Sequence, residues 1–167
     1  MAGRWLSEEE REAWLGVASV VELLPGVLDA QLRRDAQLTF FEYMVLAVLS
    51  EAPDRTVQMS ELARHTNATL PRLSHVVRRL ADRGLLDKVP CPHDARATNA
   101  QLTETGWATL REAAPGHVAN VREHVFGSLS DDQVTQLAEI TQALLTRLDP
   151  EGRLRPLDPS PGTAPDH

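Results

Sequence analysis

Apolar residues recur along this chain at three- and four-residue spacing, in blocks separated by clear capping and turn signals. The first block runs from about Ser7 to Arg34, with Trp14, Val17, Ala18, Val21, Leu24, Leu28 and Leu32 on one stripe. Ser7 followed three residues later by Glu10 forms a capping box, and the three acids at 8–10 suit the positive end of a helix. Pro25-Gly26 falls inside the stripe and predicts a kink or break there. Thr39 and Glu42 form a second capping box, opening an apolar helix to about Glu51, and Pro53-Asp54 predicts a turn.

The centre of the chain changes rhythm. "MSELARHT" (59–66) reads as a short helix, and after "NA" a longer one follows in "TLPRLSHVVRRLADRG". Thr69 caps it, Pro71 is tolerated in its first turn, and Gly84 suits the left-handed position beyond its end. Leu70, Leu73, Val76, Val77 and Leu80 form its expected buried stripe. Leu85–Val89 and Ala100–Leu102 are short strand candidates around a polar loop. Thr103 caps the next helix, which Pro115-Gly116 is expected to kink or interrupt. Ser130 and Gln133 form a third capping box for a final helix to about Leu148, with Val134, Leu137, Ile140, Leu144 and Leu145 expected inward. From Asp149 the chain is rich in Pro and Gly and reads as a disordered tail, 149–167.

The expected fold is therefore mainly α with a small β-hairpin. Composition adds that 42% of the 167 residues are hydrophobic, enough for a packed core. No uninterrupted run reaches the length of a membrane span, and the acidic N-terminus does not resemble a secretion signal, so the expected location is the cytoplasm and no membrane partner is expected. Cys91, the single cysteine, has no intramolecular partner for a disulfide and reads as a half-buried structural residue.

Charge alters the picture more. The net charge is −7, yet residues 55–104 hold eight Lys/Arg against five Asp/Glu, which is +3. The remainder holds nine against nineteen, or −10. A basic centre between acidic flanks suits a nucleic-acid face set apart from the rest.

A short helix, a break and a second helix with a polar face make a helix-turn-helix, whose second helix enters the major groove N-terminus first. Arg72, His75 and Arg79 share a face at i, i+3, i+7; with Ser74 and Arg78 they are the candidates for contacting bases and phosphates. A hairpin directly after such a helix is a wing, placed over the neighbouring minor groove, where concentrated negative potential attracts an arginine. Arg96 fits that role. Asp94 is expected to orient it, and His93 to add a backbone contact.

These residues resemble the MarR family of bacterial winged-helix transcription regulators. The resemblance covers about residues 10–148 and rests on "LTFFEYMVLAVLSEAP", the helix-turn-helix just described and "DARATNAQLTETG". Within the last stretch Asp94, Arg96, Leu102, Thr103 and Gly106 carry the most specific spacing. The resemblance implies a homodimer built by terminal helices (5–38 and 104–148) around a winged helix-turn-helix at 39–103. It also implies double-stranded DNA with a near-palindromic operator as partner, repression more than activation, and release by a small aromatic or lipophilic effector. Pro71 departs from the small polar residue more usual there. Phe40, Tyr43 and Trp107, with Phe41 nearby, are the candidates for lining an effector cavity, although buried core is the default for such rings.

His117 and His124, seven residues apart beside Glu123, are expected at a dimer surface; no convergent ligand set for a metal is evident, and no cofactor is expected. Neither a nucleophile–base pair nor a phosphate-cradling glycine loop occurs, so an enzyme is not expected. The rival reading is a winged-helix protein-interaction module without specific DNA binding. A dimerisation domain of a methyltransferase-like enzyme is set aside, because no cofactor-binding portion follows.

Overall fold

The computed structural model describes residues 5–92 and 94–154. Six α-helices and a three-stranded antiparallel sheet follow in the order α1 (Glu8–Ala36), α2 (Phe40–Glu51), β1 (Thr56–Gln58), α3 (Met59–His65), α4 (Leu70–Asp82), β2 (Leu86–Cys91), β3 (Asp94–Leu102), α5 (Glu104–Val121) and α6 (Asp131–Leu148). All three capping boxes form, at Ser7/Glu10, Thr39/Glu42 and Ser130/Gln133.

The core lies under the winged unit. α2 buries Val45, Leu46, Val48 and Leu49, α3 buries Leu62, α4 buries Leu73, Val77 and Leu80, and Leu86 and Ala100 close the sheet side. A left-handed Asn67 (φ 48°) makes the turn between α3 and α4, a conformation Asn tolerates better than most residues. Gly84 takes φ 70° after α4, as its position foretold.

Several expectations need correction. Of the kink or break expected at Pro25 the break does not occur: α1 is one 29-residue helix through it, the missing N–H costing a single interior hydrogen bond. α5 likewise continues through Pro115; the irregularity comes later, as a π-helical turn at Arg122–Phe126. β3 begins at Asp94, so residues 94–99 are strand where a polar loop was expected, with a bulge at Pro90/Cys91. β1 was not foreseen; it pairs with β3 on the side away from β2, Val57 opposite Ala100. Leu70 is exposed and does not belong to the buried stripe. Of the α6 residues expected inward, Val134 and Leu137 are half-buried while Ile140, at 58%, Leu144 and Leu145 are exposed. Residues 149–154 form a turn in which the Asp149 carboxylate accepts from the Arg153 and Leu154 N–H groups at 2.9 and 2.8 Å; 155–167 lie outside the described residues.

Between α5 and the wing the packing is close. A Cβ on Gly106 would stand 2.1 Å from the Leu85 carbonyl oxygen and 2.7 Å from Leu102. Thr103 Oγ1 donates to the Gly84 carbonyl at 2.7 Å and accepts from the Gly106 N–H at 3.0 Å. Only glycine fits this joint.

Much apolar surface stays uncovered at α1 and α6. Trp14 and Val21 are exposed, and an open cavity of about 600 Å³ between the two helices is lined by Val20, Leu24, Leu129, Leu137 and Ile140. By length and composition alone α1 is long and apolar enough to cross a membrane, its most apolar window averaging 1.5 in hydropathy.

Candidate nucleic-acid interface

α4 owes its shape to Thr69, whose hydroxyl accepts from the Arg72 N–H, and to Pro71 in the first turn. With Leu73, Val76, Val77 and Leu80 turned into the core, the residues furthest from it are Pro71, His75, Arg78 and Asp82, at i, i+4, i+7 and i+11. Of the expected trio, His75 lies on this stripe. Arg72 and Arg79 lie beside it and lean on α2, the Arg72 guanidinium 4.4 Å from the Phe41 ring centre and Arg79 paired with Glu42.

Glu42 is 1% exposed, and its two oxygens are both used. One accepts from the Thr39 N–H at 2.8 Å as part of the cap, and the other takes Arg79. A buried carboxylate is costly unless paired and hydrogen-bonded, and here both conditions hold. Arg79, expected to read the major groove, is thereby anchored to α2. Phe41 and Glu42 are neighbours in sequence, and Arg72 and Arg79 are two helical turns apart; that double match was the available signal for a contact the sequence reading missed.

On the exposed stripe Arg78 Nη2 donates to His75 Nδ1 at 3.1 Å. Because a guanidinium has no acceptor, His75 uses its Nδ1 lone pair and leaves Nε2–H as an outward donor. Ser74 is half-buried and turns toward the wing, beside a cleft shared with Lys88, Arg96 and Thr98. Arg96 is exposed on β3, near the tip of the wing. His93 and the side chain of Asp94 lie outside the described residues.

The aromatic candidates separate. Tyr43 and Phe40 meet His117, with ring centres at 4.5 and 5.9 Å, while Trp107 carries Arg55 over its ring at 4.7 Å. A spacing of 4.5 Å leaves no room for a third ring between Tyr43 and His117. Burial pushes the Tyr43 hydroxyl up to about 12 and holds the His117 imidazole below its ordinary value. His117 is buried within the chain and not at a surface as expected, and its Nδ1 has no hydrogen-bond partner; His124 is exposed. Among the described residues no three His, Cys, Asp or Glu side chains converge as a metal site would require. Cys91 is half-buried.

A short helix, a tight turn, a second helix with a polar outer stripe and a three-stranded sheet ending in a wing define a winged helix-turn-helix. The MarR family model matches residues 36–97. Over most of its length the chain is similar to Sco3205, a MarR family transcriptional regulator from Streptomyces coelicolor solved in complex with DNA. That likeness has 40% identity and a TM-score of 0.84, covering 89% of this chain and 93% of that one. AbsC, a MarR family regulator from the same organism, is 34% identical with a TM-score of 0.81, covering 89% and 100%. The transcriptional repressor MprA of Escherichia coli K12 is 31% identical over 107 residues, 64% of this chain and 60% of the relative. The match thus spans somewhat under two thirds of that curated relative. This chain belongs to the MarR family, a family of transcriptional regulators and not of enzymes.

Proposed function

We propose that the chain works as a homodimeric repressor of transcription that binds a near-palindromic operator in double-stranded DNA. The observation that carries this reading is the outer face of α4. Pro71, His75 and Arg78 stand outward on the second helix of a helix-turn-helix, Arg72 and Arg79 flank them, and most of the remaining chain is acidic. His75 and Arg78 meet base edges or phosphates in the major groove, Ser74 faces the backbone beside the wing, and Arg96 reaches the minor groove. Arg72 and Arg79 hold α4 against α2 and add positive potential. His93 and Asp94 keep their expected roles as a backbone contact and a support for Arg96.

The uncovered apolar faces of α1 and α6 support the dimer. Patches of this kind on a small protein mark an interface, and a two-fold partner would bring the same faces together. Residues 5–38 and 104–148 form the dimerisation part and 39–103 the DNA-binding part. α1 is better read this way than as a membrane span, because Glu22 and Asp29 interrupt its apolar run and its apolar face lines the cavity it shares with α6. Two α4 helices about 34 Å apart would then meet successive turns of duplex. A cytoplasmic location follows from work on DNA. Release by a small aromatic or lipophilic effector belongs to the same reading, and such a molecule at Phe40 and Tyr43 must part the Tyr43–His117 contact.

The test is a titration of the purified protein against fragments of its own genome, at about 150 mM salt with competitor DNA, because affinity is interpretable only at a stated salt concentration. Selective enrichment of a near-palindromic site is the expected result. A stable dimer that enriches nothing would support the protein-interaction module instead.

A further inference from the structure

Leu70 is the first residue of α4, and its side chain is 48% exposed. It forms one wall of a cleft of about 380 Å³ between the start of α4 and the wing, which it shares with Met59, Ser74, Lys88, Arg96 and Thr98. The Thr69 cap and Pro71 on either side fix the backbone, so the leucine is presented in a defined place. N-terminal residues of a recognition helix reach the bases first. A major groove offers donors, acceptors and a single apolar group, the 5-methyl of thymine. Leucine can neither donate nor accept, so of these features only the methyl complements it. Across the cleft Lys88 supplies positive charge suited to the phosphates that flank such a base.

We propose that Leu70 is a specificity-determining residue that packs against a thymine methyl in each half-site. This rests on the DNA-binding reading above. In the operator recovered by genomic enrichment, each thymine is replaced in turn, symmetrically in both half-sites, by deoxyuridine, which removes the methyl and keeps the pairing. Wild-type protein is expected to lose roughly fourfold in affinity per half-site at one position, the effect of one buried methyl. Leu70→Ala binds the unmodified operator more weakly and is indifferent to deoxyuridine at that position, while Leu70→Met keeps the sensitivity. Because Leu70 lies outside the core, the alanine variant folds, and its thermal midpoint checks this.

Wild type indifferent to every replacement, an operator without thymine in its half-sites, or Leu70→Ala as sensitive as wild type overturns the proposal. Failure to enrich any duplex is a different result: it removes the DNA-binding reading itself, and the role of Leu70 with it.

Discussion

α4 and α6 are written in much the same way, each a capped helix with apolar residues at three- and four-residue spacing, and they meet opposite fates in one chain. α4 buries Leu73, Val76, Val77 and Leu80 against α2, α3 and the sheet. α6 half-buries Val134 and Leu137, and leaves Ile140, Leu144 and Leu145 in contact with solvent. An apolar stripe says that a helix needs cover without saying whose. In α4 the cover comes from the same chain, and the polar remainder is free to face a ligand. In α6 the cover is missing, which is the strongest physical reason to place a second copy there.

The contrast is most severely tested by a double substitution, Ile140→Asp with Leu144→Asp. Sedimentation is expected to shift from twice 18.4 kDa to 18.4 kDa, and operator affinity to fall about 100-fold or more as the two half-sites lose their linkage. A variant that stays dimeric would show that α6 is not the interface. Leu73→Ala, on the covered helix, should cost about 2–5 kcal/mol in urea unfolding.

Within α4 the comparison sharpens between neighbours. Arg79→Ala leaves the buried Glu42 carboxylate without its partner and should destabilise the fold by roughly 1–3 kcal/mol. Arg78→Ala should leave stability within about 0.5 kcal/mol and weaken operator binding by about 1–3 kcal/mol. Equal stability losses in the two would contradict the difference drawn between them. On the wing, Arg96→Ala is expected to weaken binding and flatten the salt dependence by about one unit of log–log slope, with the dimer intact.

A smaller effect should come from His117. Its folded-state pKa is depressed by burial, so between that value and the ordinary one near 6.5 the unfolded chain binds more protons. His117 therefore contributes full stability above about pH 6.5, and loses it as pH falls through that window. Urea midpoints should drop from pH 7.5 to 5.5, and the drop should shrink in His117→Gln. An unchanged pH response in that variant would locate the titration elsewhere.

Local chemistry was largely legible. The three capping boxes, the left-handed Gly84 and the order of the six helices all follow from neighbouring residues. Contacts between distant residues were not. Arg79 reads as an exposed basic residue until α2 places Glu42 beneath it, and Arg72 looks free until Phe41 lies under it. Thr56–Gln58 is too short to announce itself as a strand and exists because β3 offers an edge. Leu70 fits the stripe by spacing, yet at the first position of the helix there is too little core to cover it. Pro25 does not end α1, since a long helix absorbs one missing donor.

The glycine at the start of α5 has a mechanical meaning. With the Leu85 carbonyl oxygen 2.1 Å from where a Cβ would sit, and Thr103 bonded on both sides, the joint has no slack. In the proposed dimer this contact would couple α5 to the winged unit as one lever. A small change in the angle at which two such levers meet would move their tips apart by several ångströms and change the half-site spacing they span, without any bending of the DNA-reading part itself.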